Sequence, residues 1–132
     1  GTNDRSLVLR ARIGRHVVLL PGDLEAAGER ALLLGARRAQ LRATILKVGH
    51  HGSRTSTGRP FLAAVRPRIA LISAGRGNRY GHPASSVTAR LDRARILTWR
   101  TDRHGGVRLA LPPGGPPRRL PWRSSSSPRG AP

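Results

Sequence analysis

Three short apolar runs, each closed by a hinge of small or polar residues, constrain this chain more than anything else in it. Val17–Leu20 stops at Pro21-Gly22-Asp23, Ala43–Val48 stops at Gly49-His50-His51-Gly52-Ser53, and Arg68–Ser73 runs into a glycine-rich loop over 74–82. Runs of four to six apolar residues bounded by turn formers read as buried strands. The stretches between them have helical character: Leu24, Ala27, Ala31 and Leu32 recur at helical spacing after Asp23 with Gly35 as a stop, and Pro60 and Pro83 open two further segments. Alternation of this kind predicts α/β layers around a largely buried sheet.

The full order expected is strand, strand, helix, strand, helix, strand, helix, strand, strand. A first strand over 6–12 meets the second through a hairpin at Ile13-Gly14-Arg15, and the last two, 95–99 and 107–111, are expected to be joined through Thr101–Gly106. A single domain over 1–111 is expected, followed by a Pro-, Arg- and Ser-rich tail over 112–132 without apolar pattern, read as disordered. No run of about 18 apolar residues is present, so no membrane span is expected. With no cysteine there is no disulfide partner, no thiolate nucleophile and no thiolate metal site.

The charge is lopsided: 25 Lys+Arg against six Asp+Glu, a formal +19, with Lys47 the sole lysine. Such a field attracts polyanions, and guanidinium groups bind phosphate bidentately. Solvated surface arginines explain the same composition without a ligand.

Chemistry-bearing residues gather at strand ends, where ligands of open α/β sheets collect. Asp23 can cap a following helix or ligate a metal. His50 and His51 lie between two glycines that allow a tight turn, so both rings can reach one cavity. His82 precedes Pro83 at an expected helix start, where the dipole keeps imidazole neutral, as a ligand or base requires. Tyr80 reads as a core or rim aromatic. Turn chemistry accounts for His16 and His104, which are set aside as structural, and for Asp102.

The segments VVLLPGDLE (17–25), LKVGHHGSRTS (46–56), RPRIALISAG (66–75), NRYGHP (78–83) and TDRHGGVRL (101–109), in that order, resemble the C-terminal part of the metallo-β-lactamase-fold domain of the ComEC competence family, which moves DNA across the bacterial inner membrane. The similarity runs from about Asn3 to Leu111. It implies an αββα sandwich of which this chain is the C-terminal half, and a phosphodiesterase-type reaction on DNA. By resemblance Asp23, His50 and His82 are metal ligands for zinc or manganese, His51 and His82 carry catalysis, and Ser53 and Tyr80 contact substrate, with His50 and His51 interchangeable at the ligand position. The HxHxDH motif of the fold is absent, since no two histidines here are separated by one residue. The resemblance therefore implies a fragment with half of a metal site, weak metal binding and little hydrolysis alone. It implies as partners DNA phosphates, the remaining half of the domain and a membrane channel. It also implies an apolar sheet face left open, and a parent family seated in the cell membrane. Two alternatives stand beside it: a basic nucleic-acid-binding module without chemistry, and a gene fragment with no independent fold.

Overall fold

The computed structural model describes residues 2–36 and 38–122. A five-stranded sheet of order β1-β2-β3-β4-β5 forms its centre, built from β1 Leu9–Ile13, β2 His16–Leu20, β3 Ile45–Lys47, β4 Ile69–Ile72 and β5 Leu97–Arg100. β1 pairs antiparallel with β2, with Ile13 opposite His16, so Gly14 and Arg15 make a two-residue hairpin and Gly14 takes the positive φ of 57° that such a turn demands. The other four strands are parallel. Their connections run through three helices: α1 Ala26–Leu34, α2 Arg59–Val65 and α3 Ser85–Arg93.

Register fixes which side chains share a face. Leu19, Leu46 and Ala70 are cross-strand neighbours, with Ile72 two residues further along β4. All four are buried in one cluster with Phe61, Leu62 and Val65 of α2 and Val87 and Leu91 of α3. Truncating any large member of this cluster removes apolar contact and leaves a cavity, at a cost of about 2–5 kcal/mol.

The opposite face carries His16, Val18 and Leu20 of β2, Ile45, Ile69 and, at the edges, Leu9, Ile13 and Leu97. It is covered only at its centre. Ile45 and Ile69 are buried, whereas Leu9, Ile13 and Leu97 are each about half exposed. The expected open apolar face is thus confined to its two margins.

The C-terminal region departs from the sequence expectation. The strands expected at 95–99 and 107–111 do not form a hairpin with each other. β5 joins the main sheet beside β4, and Thr101–His104 coils into the one-turn helix α4. Arg100 clamps Asp102 through two bonds, Nε–Oδ1 at 3.0 Å and Nη2–Oδ2 at 2.6 Å, which turns the chain away from β5. β6, Arg108–Ala110, pairs antiparallel with β7, Arg118–Leu120. Residues 112–122, expected to be disordered, are therefore part of the fold; the rest of that tail, 123–132, lies outside the described residues. Two contacts hold this ribbon. The buried His16 donates from Nε2 to the Pro112 carbonyl at 3.0 Å, and Trp122 lies so close to Gly106 that a Cβ there would sit 2.2 Å from the indole.

Helix α1 also differs in detail. Asp23 does not cap it. The helix begins two residues beyond Leu24, and its first amides are capped from outside by Asp4, whose Oδ1 accepts from Gly28 N at 2.8 Å and Glu25 N at 3.3 Å. Ala27 and Ala31 face solvent, while Gly28 and Glu29 are buried. Glycine is required at 28 because a Cβ would lie 2.3 Å from the Leu24 side chain. Glu29 is turned inward by two backbone amides, those of Thr57 and Gly58, which its carboxylate accepts. A buried charge satisfied in this way outcompetes the alanine stripe that periodicity favours.

Candidate functional site

The carboxyl ends of β2, β3 and β4 lie at one edge of the sheet, and the hinges that follow them carry Asp23, His50, His51 and Ser73. The Gly49–Gly52 turn decides what this edge can do. His50 and His51 both adopt left-handed backbone conformations, φ 44° and 53°. For residues with a Cβ this costs on the order of 1–2 kcal/mol each. The cost is met by anchors on every side. Val48 N donates to Leu71 O, His50 N to Gly22 O, and Ala84 N to Gly52 O, at 2.8, 3.0 and 2.9 Å. The following Ser-Thr loop binds back to the turn: Ser56 Oγ donates to Gly49 O at 2.7 Å, and Gly49 N donates to Thr57 Oγ1 at 3.3 Å. Gly52 closes it at φ 84°, with the Pro83 ring where its Cβ would be.

An extended chain would send adjacent side chains to opposite sides. The left-handed pair instead lets both rings serve this edge with different partners. His51 Nδ1 donates to the Ser73 carbonyl at 2.6 Å, which fixes the proton on Nδ1 and leaves Nε2 as an acceptor in the neutral ring. That Nε2 lies 3.7 Å from Asp23 Oδ1. Two lone-pair-bearing atoms face each other there. His50 Nδ1 pairs with Glu25 Oε1 at 3.0 Å. Its ring meets that of His82 edge-on, centroids 5.6 Å apart.

His82 is held through its backbone by Asn78, whose Oδ1 accepts from His82 N at 3.0 Å and whose Nδ2 donates to His82 O at 2.6 Å. The His82–Pro83 peptide is cis. His82 precedes α3 by three residues rather than opening it. Its imidazole is held below the ordinary 6.5, by partial burial first and then by the neighbouring His50 and His51. The cause differs from the helix dipole expected there: burial comes first, then the neighbouring histidines. Tyr80 stacks on His82, centroids 5.9 Å apart, and is two-thirds exposed at the rim with the Arg79 guanidinium against it. Ser53 is buried, and its hydroxyl is shared with Thr55 at 3.0 Å.

The structure therefore gathers Asp23 with His51, and His50 with His82 and Tyr80. It adds two residues that local sequence did not single out. Glu25 orients His50, and its carboxyl is kept below the usual range by the Asn3 amide, then Thr55 and His50. Lys47 ends β3 close enough to Asp23 to feel its charge, while burial pushes its ammonium below the ordinary lysine value. Lys47 shares the second sheet face with Ile45, and nothing local in the sequence pairs it with Asp23.

Whether zinc or manganese fits these residues follows from their grouping. Among the described residues, no three His, Asp or Glu side chains are placed to hold a metal ion together. The donors come in pairs, Asp23 with His51 and Glu25 with His50. Each pair offers an ion two protein ligands, one fewer than the three of a catalytic zinc site, so this chain's own donors would hold it only weakly. Among the described residues no helix is long and apolar enough to cross a membrane.

No protein-family model matches the chain. Individual relatives do. It is 43% identical over 105 residues to ComE operon protein 3 of Bacillus subtilis, 80% of this chain and 13% of that protein. It is 40% identical over 113 residues to competence protein ComA of Neisseria gonorrhoeae, 86% of this chain and 16% of that one, and 40% identical over 107 residues to recombination protein 2 of Haemophilus influenzae, 81% and 13%. The chain thus spans about one-seventh of the length of the curated relatives it matches. Across about four-fifths of its residues, then, the chain is similar to a segment of proteins named for competence and recombination.

Proposed function

We propose that this chain is the C-terminal part of a phosphodiesterase-type hydrolase domain of a ComEC-like DNA-uptake protein, and that its imidazole edge faces the DNA backbone without cutting it unaided. The observation that carries the reading is the convergence of Asp23, His50, His51 and His82 at one sheet edge, on a turn held in a strained conformation by long-range bonds. Strain of this kind, over-determined by its surroundings, accompanies sites more often than packing. Donors paired two by two, rather than three to an ion, support a site that a further segment completes, and no hydrolytic step is assigned to this chain alone. The half-exposed Leu9, Ile13 and Leu97 support the same reading, because a second sheet layer would cover that face. DNA phosphates, the completing half of the domain and a membrane channel are the partners this reading names.

The experiment is isothermal calorimetry of this chain with zinc and with manganese, run beside Asp23→Ala and His51→Ala, together with a plasmid-nicking assay. The expected result is weak binding that both substitutions abolish, and no nicking. Metal affinity unchanged in both variants, or nicking by the isolated chain, would refute it.

A further inference from the structure

The opposite edge of the sheet, where the parallel strands begin, has a character of its own. A cavity of about 590 Å³ lies where the end of α2 meets the end of α3, with Leu62 and Ile96 in its floor and Arg59, Arg66, Arg90 and Arg93 around it. Arg66 also lines an adjoining hollow with Arg38 and Arg42. Arg42 and Arg66 continue into a third with Arg10, Arg15 and Arg68, and Arg15 and Arg68 into a fourth that ends at the 114–117 segment. Each hollow shares at least one arginine with the next, so the four form one continuous track.

Five of the six acids lie away from this track: Asp23, Glu25 and Asp102 follow strand ends at the imidazole edge, Asp4 caps the start of α1, and Glu29 is buried on the Thr57 and Gly58 amides; the sixth, Asp92, is exposed near the end of α3 beside Arg93. No carboxylate lines any of the four hollows. Among the described residues, Arg10, Arg15, Arg42, Arg66 and Arg68 form no ion pair. Unneutralised guanidinium groups in a concave row raise the local potential and present bidentate donors at the spacing of side chains on adjoining loops.

We infer that this track binds single-stranded nucleic acid along its phosphodiester backbone, at a surface separate from the imidazole edge. The guanidinium row takes successive phosphates, and the apolar floor of the largest hollow takes an unstacked base, which a duplex does not offer. No Phe, Tyr or Trp side chain lines the track, and His16 in its last hollow is buried, so backbone contacts dominate, recognition is independent of base sequence and salt weakens it steeply. The two edges are separated by the length of the strands, about 13–17 Å for four to five residues. The inference does not depend on the imidazole edge being a hydrolase remnant.

The test is fluorescence anisotropy of a labelled 20-nucleotide single strand with the full chain, titrated over a range of NaCl concentrations. One variant carries Arg15→Gln, Arg42→Gln, Arg66→Gln and Arg68→Gln. A charge-matched control carries Arg5→Gln, Arg30→Gln, Arg103→Gln and Arg108→Gln, all exposed and outside the track. The track variant is expected to bind roughly 10- to 100-fold more weakly, with a log–log salt slope shallower by about 3, as loss of four single-strand contacts implies. The control is expected to change several-fold less. Equal weakening in both sets would reduce the effect to net charge and overturn the inference. So would weakening confined to Asp23→Ala and His51→Ala, an outcome that leaves the proposed function standing. Equal affinity for a duplex, or displacement of the strand by phosphatidylglycerol vesicles, would also overturn it. Should the glutamine set fail to fold, the same four positions as lysine keep the charge and lose the bidentate geometry. Binding several-fold weaker at unchanged slope is then expected, and undiminished binding overturns the inference.

Discussion

Replacing Glu29 by alanine takes away the group that holds the loop behind the histidine turn. Its carboxylate accepts the Thr57 and Gly58 amides, and Thr57 in turn accepts from Gly49 N. Thr57 is fully buried at φ 54°, so its amide has no water to turn to when the carboxylate is gone. Each buried amide left unsatisfied costs about 1–3 kcal/mol, or about 2–6 kcal/mol for the pair. Relief of the carboxylate's own desolvation, which raises its pKa, moves the expectation to about 2–4 kcal/mol. With a urea slope near 1.5 kcal/mol/M, typical of this size, the unfolding midpoint falls by about 2 M at unchanged slope. Glu29→Gln keeps one acceptor and loses about half as much. Burial holds the folded-state pKa above the unfolded 4.5, so this group's linkage contribution is fully present below pH 4.5 and is lost as pH rises through the raised value. Wild-type stability therefore carries a downward slope through that window, which Glu29→Gln removes. Amide exchange at residues 49–57 should accelerate in step with the lost stability. An alanine variant whose midpoint moves by less than about 0.5 M, or a glutamine variant worse than alanine, would refute the reasoning.

Three further outcomes follow from the same contacts. The His82 imidazole should titrate below 6.5 by NMR and move upward in His50→Ala, because a like-charged neighbour is removed; the folded state then loses less stability as pH falls through that pKa than the wild type does. Gly52→Ala forces a Cβ to within 2.6 Å of Pro83 at a φ of 84°, and chemical denaturation should show a loss of about 2–3 kcal/mol, with the His50 and His51 ring signals displaced. Ending the chain after Leu111 removes the Pro112 acceptor from buried His16, and thermal unfolding should register about 1 kcal/mol lost together with a solvent-accessible His16 ring.

The central strands were legible because their cause is local. Val17–Leu20, Ala43–Val48 and Arg68–Ser73 are apolar runs between turn formers, and each coincides with an observed strand to within two residues. The hinges that end them put Asp23, His50, His51 and His82 at one edge, because side chains after parallel strands gather there whatever their identity. The C-terminal ribbon was not legible. β7 is three residues of Arg-Arg-Leu in a proline-rich stretch, and it exists because β6 offers an open edge and His16 an unmet donor.

By itself, then, the sequence determined an α/β layer with a titratable rim and a large excess of positive charge. It could not determine which imidazole meets which carboxylate, since Glu25 and His50 are 25 residues apart and their pairing depends on a left-handed turn that no local propensity favours. Nor could it group the arginines at one end of the sheet. Composition counts arginines, but only the folding of α2, α3 and the loops before β3 and β4 onto the same end of the sheet brings their guanidinium groups side by side.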